Sequence, residues 1–130
     1  MPHLLRKQLF IVLPLIFATS FCFFPVPAIA NTMPLSQTEI DQKLQTVPQW
    51  QQSKQTITRT FKFKNFVEAI AFVDKLVEPA EAAGHHPDLT ISYNKVTVSL
   101  TSHDAGGLTE KDFELAQNIS NLALYYEDKP

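Results

Sequence analysis

Apolar positions recur along this chain with two different periods, and the switches between them divide it into elements. Leu35-Ser36-Gln37-Thr38-Glu39-Ile40 opens a helix: Ser36 caps it, Glu39 completes a capping box, and Leu35 and Ile40 take hydrophobic-staple positions. Ile40, Leu44 and Val47 form its apolar stripe, and Pro48 stops it. The period then drops to two. Residues 50–52 and 55–64 read as short strands around a Ser53-Lys54 turn, with Ile57, Phe61 and Phe63 sharing one face. Asn65 starts a second helix with Glu68 three residues on. Phe66, Ile70, Val73 and Val77 give it a stripe that Ala69, Phe72 and Leu76 widen, enough to suggest a second partner surface such as another subunit. Pro79 should loosen its last turns and Gly84 should end it in the left-handed conformation.

Alternation returns in the segment HHPDLTISYNKVTVSLTSHD. Leu89, Ile91 and Tyr93, then Val96, Val98 and Leu100, make two strands, and a turn at Asn94-Lys95 would set Tyr93 against Val96, Ile91 against Val98 and Leu89 against Leu100. Carried outward, that register places His86 opposite His103 on the polar face, with Pro87 weakening the pairing there by its missing N–H. A third helix runs from Thr109, with Asp112 at the box position, through Phe113, Ala116, Ile119, Leu122 and Ala123 to about Tyr126. The order α-β-β-α-β-β-α predicts an α+β fold, a four-stranded antiparallel sheet with three helices packed on one face.

One stretch fits neither period. Leu9 to Phe24 carries no charge, follows Arg6 and Lys7, and leads to small residues at Ala28 and Ala30. A basic start, an apolar run shorter than the roughly 20 residues of a spanning helix, and an Ala-Ile-Ala ending predict a signal peptide over residues 1–30, cleaved after Ala30. An uncleaved anchor is the alternative. Bulky Phe21 before Cys22 argues against lipid attachment, and a single arginine against twin-arginine export. The expectation is an exported protein with no stable membrane association after cleavage, made of a short lead at 31–34 and one domain at 35–130.

Cleavage changes the composition. The whole chain has 130 residues, a formal charge of −2 and one cysteine, which already excludes a disulfide scaffold. Arg6, Lys7 and Cys22 lie in the leader, so nine basic residues face thirteen acidic ones in a thiol-free remainder, a balance of −4. A nucleic-acid binder acting through bulk charge is excluded, and Lys62 and Lys64 between the phenylalanines read as a solvated face. The remaining histidines are His85, His86 and His103, and all three glycines, at 84, 106 and 107, lie close to them.

Converging imidazoles can donate and accept protons in one cycle near neutral pH. His85 and His86 follow a helix C-terminus, whose partial negative charge suits an acid, and Glu81 one turn earlier could orient His85. A zinc site from these histidines with Glu81 or Asp104 is disfavoured: adjacent strand residues point to opposite faces, and there is neither a cysteine nor a His-x-x-x-His pair. The bland alternative makes them hairpin-end residues, and Asp112 no more than a cap. No phosphate loop, nucleophile elbow or cysteine nucleophile is present in the remainder.

Glu81-x3-His85-His86-Pro87, followed by Tyr93, His103 and Asp112, resembles the signature of the pterin-4a-carbinolamine dehydratases. The flanking segments FKFKNFVEAIAFVDKLVEPAE and TSHDAGGLTEKDFELAQNI are similar as well, so the resemblance spans about residues 35–119. It implies a lyase of tetrahydrobiopterin recycling that dehydrates 4a-hydroxytetrahydrobiopterin to quinonoid dihydrobiopterin without metal or organic cofactor. By the same resemblance His85 and His103 are general-acid candidates, His86 mainly holds the pterin, and Glu81, Pro87, Asp104 and Asp112 take supporting or substrate-binding positions. It also implies a homodimer or homotetramer built through helices. Familiar members work inside cells beside aromatic amino-acid hydroxylases, and some bind a transcription factor. An exported copy meets neither, so the alternative is a pterin-binding or interaction protein that keeps the fold.

Overall fold

A computed structural model describes residues 33–127. The predicted signal peptide and its cleavage site lie outside these described residues. Helix α1 (Gln37–Leu44) is followed by β1 (Gln51–Ser53), β2 (Thr56–Lys62), α2 (Phe66–Lys75), α3 (Val77–Ala83), β3 (Asp88–Ser92), β4 (Lys95–Leu100), a 3-10 turn (His103–Ala105) and α4 (Glu110–Glu127). The four strands form one antiparallel sheet in the order β1-β2-β4-β3. This is the α+β architecture that the sequence pattern predicts, with the middle helix divided in two.

The α1 capping box forms as predicted: the Ser36 hydroxyl accepts from the Glu39 N–H, and the Glu39 carboxylate accepts from the Ser36 N–H at 2.8 Å. The Ser36 hydroxyl also donates to the Glu39 carboxylate at 2.7 Å, and this bond, together with the one from the Ser36 N–H, holds the Glu39 carboxyl below its ordinary range. The division of the middle helix falls at Leu76, three residues before Pro79. Pro79 cannot donate to the carbonyl four residues back, and a break just upstream places it in the first turn of α3, where a missing N–H is tolerated. Gly84 ends α3 at φ 55°, and the His85 N–H closes the turn on the Ala80 carbonyl. An added Cβ at Gly84 would meet nothing within 4 Å, so glycine is required there by backbone conformation rather than by space.

Both hairpin turns lie one residue later or earlier than the sequence reading placed them. The first is Lys54-Gln55 rather than Ser53-Lys54, with Lys54 at φ 54° and Ser53 paired with Thr56. The second is Tyr93-Asn94 rather than Asn94-Lys95, so Ile91 meets Val96 and Leu89 meets Val98. Tyr93 takes the left-handed position at φ 54°, while Asn94 is tied to the chain beyond β2: the Phe63 N–H donates to its carbonyl and its side-chain amide donates to the Phe63 carbonyl. The register thereby slips by two residues. Strand faces repeat every two residues, so apolar still meets apolar and apolar pairing does not distinguish the two registers. The ladder stops at Asp88–Ser99, next to Pro87, and the expected placement of His86 opposite His103 across a strand pair is not found.

The core lies between the helices and one sheet face. Ile57, Phe61, Val96, Val98 and Leu100 from the sheet meet Phe72, Leu76, Phe113, Leu115 and Ile119 from the helices. Phe72 is its aromatic hub, with ring centroids 5.0 Å from Phe61, 4.8 Å from Phe63 and 5.9 Å from Tyr126. The stripe of α2 is rotated from the one expected. Ala69, Phe72 and Leu76 are buried, whereas Phe66, Val67 and Ile70, with Val77 in α3, are exposed. A helix apolar nearly all round does not declare its inward side, and here the aromatic contacts of Phe72 select it.

Candidate active site

The three histidines reach the site from two loops. His85 and His86 follow the left-handed Gly84 at the end of α3, and His103 opens the 3-10 turn after β4. Gly106, at φ 70°, closes that turn by donating its N–H to the His103 carbonyl at 3.0 Å. All three imidazoles line one cavity of about 410 Å³, together with Ser102, Asp104 and Thr109. The three histidines expected to converge do line one cavity, but loop geometry at the sheet end, rather than strand register, makes them neighbours.

Each member of the His85-His86 pair has its own carboxylate. His85 Nε2 lies 2.7 Å from Asp112 Oδ1, and His86 Nε2 lies 2.8 Å from Glu81 Oε1. This corrects the expectation that Glu81 orients His85. The chain leaving Gly84 turns His86 back toward α3, and His85 inward toward α4. The two pairs also differ in setting. His86 and Glu81 are solvent-exposed, at 63% and 69% of their side-chain surfaces, while His85 is 12% exposed and Asp112 fully buried. Exposed pairs are screened by water and hold geometry weakly; the buried pair is the firm one.

Asp112 is more than a cap. Its Oδ2 accepts the Thr109 N–H at 2.8 Å, which is the reciprocal half of a capping box at the start of α4. The same oxygen accepts the Ser102 hydroxyl at 2.8 Å, leaving Oδ1 for His85. A carboxylate accepts only, so His85 donates through Nε2–H and its Nδ1 is the ring nitrogen left for a substrate. Among the described residues no buried side-chain polar atom is left unpartnered.

Asp104 lies on the cavity wall, but Pro87 does not line it and instead marks the end of the β3 ladder. Tyr93, which completes the sequence signature, is 68% exposed at the hairpin tip. Ser102, Thr109 and Lys111 also line the cavity and were not singled out from sequence. Ser102 could have been noticed as the neighbour of His103, but nothing in the pattern says that its hydroxyl turns toward Asp112. Among the described residues, no group of three or more His, Asp or Glu side chains is arranged to hold a metal ion.

An α+β layer whose one end gathers three imidazoles around a small cavity, two of them paired with carboxylates, defines a candidate site for a small molecule. The family described as "Pterin 4 alpha carbinolamine dehydratase" matches residues 33–122, and this chain belongs to that family. Proteins of Picosynechococcus sp. and Cyanothece sp., both named "Putative pterin-4-alpha-carbinolamine dehydratase", are similar to it. The first is 64% identical over 88 residues, covering 68% of this chain and 96% of the relative. The second is 62% identical over 89 residues, covering 68% and 92%. The solved structure of a transcriptional coactivator/pterin dehydratase from Brucella melitensis superposes with a TM-score of 0.67 at 35% identity, covering 69% of this chain and 98% of that one.

Proposed function

We propose that this protein dehydrates 4a-hydroxytetrahydrobiopterin to quinonoid dihydrobiopterin and water, with the histidine cavity as its active site. The observation that carries the reading is the buried His85–Asp112 pair set in the wall of a cavity that His86 and His103 share. Loss of water from carbon 4a needs a proton delivered to the departing hydroxyl and a proton removed from N5, so two proton-handling groups on one small cavity suit the chemistry. His85, steadied by Asp112, and His103 act as the proton-transfer groups; His86, on its exposed tether to Glu81, holds the pterin. Asp104 offers a polar contact at the cavity edge.

The test is whether the purified protein speeds the loss of chemically generated carbinolamine. Acceleration supports the dehydratase, whereas saturable pterin binding without acceleration favours a carrier that keeps the fold.

Two further parts of the reading concern the protein's surroundings. Self-association through the α2–α3 surface would bury Phe66, Val67, Ile70 and Val77, which are 50%, 74%, 40% and 58% exposed. Ile70→Glu is then expected to convert an oligomer to a monomer in light scattering without lowering helix content; an unchanged mass would remove this surface as the interface. Export rests on residues 1–30, whose charge and apolar pattern fit a signal peptide. Mass spectrometry of the native N-terminus should find Asn31 first, and a chain retaining Met1 would contradict cleavage. Among the described residues no helix is long and apolar enough to cross a membrane.

A further inference from the structure

Ser102 stands where the two halves of the site meet. Its hydroxyl donates to Asp112 Oδ2 at 2.8 Å and lies 2.8 Å from the Thr109 hydroxyl. Its backbone closes the loop that carries His103: the Ser102 N–H donates to the Gly107 carbonyl, the Gly107 N–H donates back to the Ser102 carbonyl, both at 3.3 Å, and the Ala105 N–H also reaches that carbonyl at 3.1 Å. One residue thus grips the carboxylate that holds His85 and frames the turn that presents His103.

We propose that Ser102 is a positioning residue that couples the two proton-transfer histidines, an assignment that rests on the dehydratase reading of the same cavity. Asp112 has two oxygens and several donors to satisfy. With the Ser102 hydroxyl and the Thr109 N–H on Oδ2 at 2.8 Å and the Thr109 hydroxyl at 3.3 Å, the carboxylate is held from both the loop and the helix start, and Oδ1 stays directed at His85 Nε2. The His85 proton therefore stays on Nε2, and Nδ1 keeps its lone pair or accepts the second proton on the cavity side. Without the Ser102 hydroxyl, Asp112 Oδ2 retains the Thr109 N–H and the longer bond from the Thr109 hydroxyl at 3.3 Å, but loses its 2.8 Å donor from the loop that carries His103. His85 then samples both tautomers, and its separation from His103 is no longer tied through a single residue.

The experiment compares the purified wild-type protein with Ser102→Ala and the hydroxyl-retaining Ser102→Thr, by carbinolamine turnover and by imidazole 15N–1H correlation spectra recorded through the alkaline range. Wild-type His85 is expected as a single Nε2–H tautomer. Ser102→Ala should lower kcat roughly ten- to a hundredfold, with KM within about twofold, and mix the His85 tautomers. Ser102→Thr should restore both rate and tautomer. Wild-type His85 in the Nδ1–H form overturns the proposal, and needs no variant to fold. So does Ser102→Ala with normal kcat and an unmixed tautomer. Should the wild type show no turnover at all, the dehydratase reading fails while the tautomer comparison still decides whether Ser102 governs His85.

Discussion

His85→Ala is expected to reduce dehydration by roughly two to four orders of magnitude in kcat, the usual contribution of a positioned acid or base. Among the described residues His85 is the only cavity imidazole paired with a fully buried carboxylate, so no exposed histidine can take over its geometry. His103→Ala should fall in the same range, because it removes the second proton-transfer group. His86→Ala should differ in kind. Its partner Glu81 is exposed and its proposed task is to hold the pterin, so KM should rise several-fold while kcat changes little. Steady-state kinetics of the three variants with generated carbinolamine separates these outcomes. Near-normal kcat in all three would remove the histidines from catalysis, and a kcat effect confined to His86→Ala would exchange the roles.

Phe72→Ala is expected to cost about 3–5 kcal/mol of stability. Phe72 is fully buried and bridges sheet and helices through Phe61, Phe63 and Tyr126. The loss combines transfer of a phenyl group with a cavity that the three neighbouring rings cannot easily fill. For a domain of this size, each kcal/mol lowers Tm by about 4–8 °C, so thermal denaturation should shift by more than about 12 °C. In contrast, Phe66→Ala on the same helix should shift it little in the monomer, because that ring is half-exposed. Equal shifts for the two would mean that the sequence-expected stripe, rather than the observed one, faces the core.

That contrast shows where sequence is informative and where packing takes over. The α1 capping box and the stripe through Phe113, Ala116 and Ile119 could be read from spacing because local chemistry and burial agree there. On α2 apolar residues lie on both sides, and only the rings waiting on β2 and α4 decide that Phe72 turns inward. The Tyr93-Asn94 turn was missed for a related reason. A slip of two residues preserves every face, so apolar pairing fixes parity without fixing register, and the bond between Asn94 and Phe63 joins residues 31 apart in sequence.

The site divides in the same way. Its imidazoles were legible because histidines are few and glycines cluster around them. Their partners were not, since Glu81 lies one turn from His85 in sequence but faces His86 in space. Asp112 has a sufficient local explanation as a helix cap, which conceals its second role against His85. Ser102 carries no signature of its own; its importance comes from a loop closed by Gly106 and Gly107.

The central claim is that this histidine cavity dehydrates a pterin carbinolamine. It is tested most directly by following quinonoid dihydrobiopterin formation with the wild-type protein and with a folded variant carrying His85→Ala, His86→Ala and His103→Ala together. Acceleration over the uncatalysed rate is expected from the wild type and none from the triple variant. No acceleration by the wild type, or equal acceleration by both proteins, would contradict it.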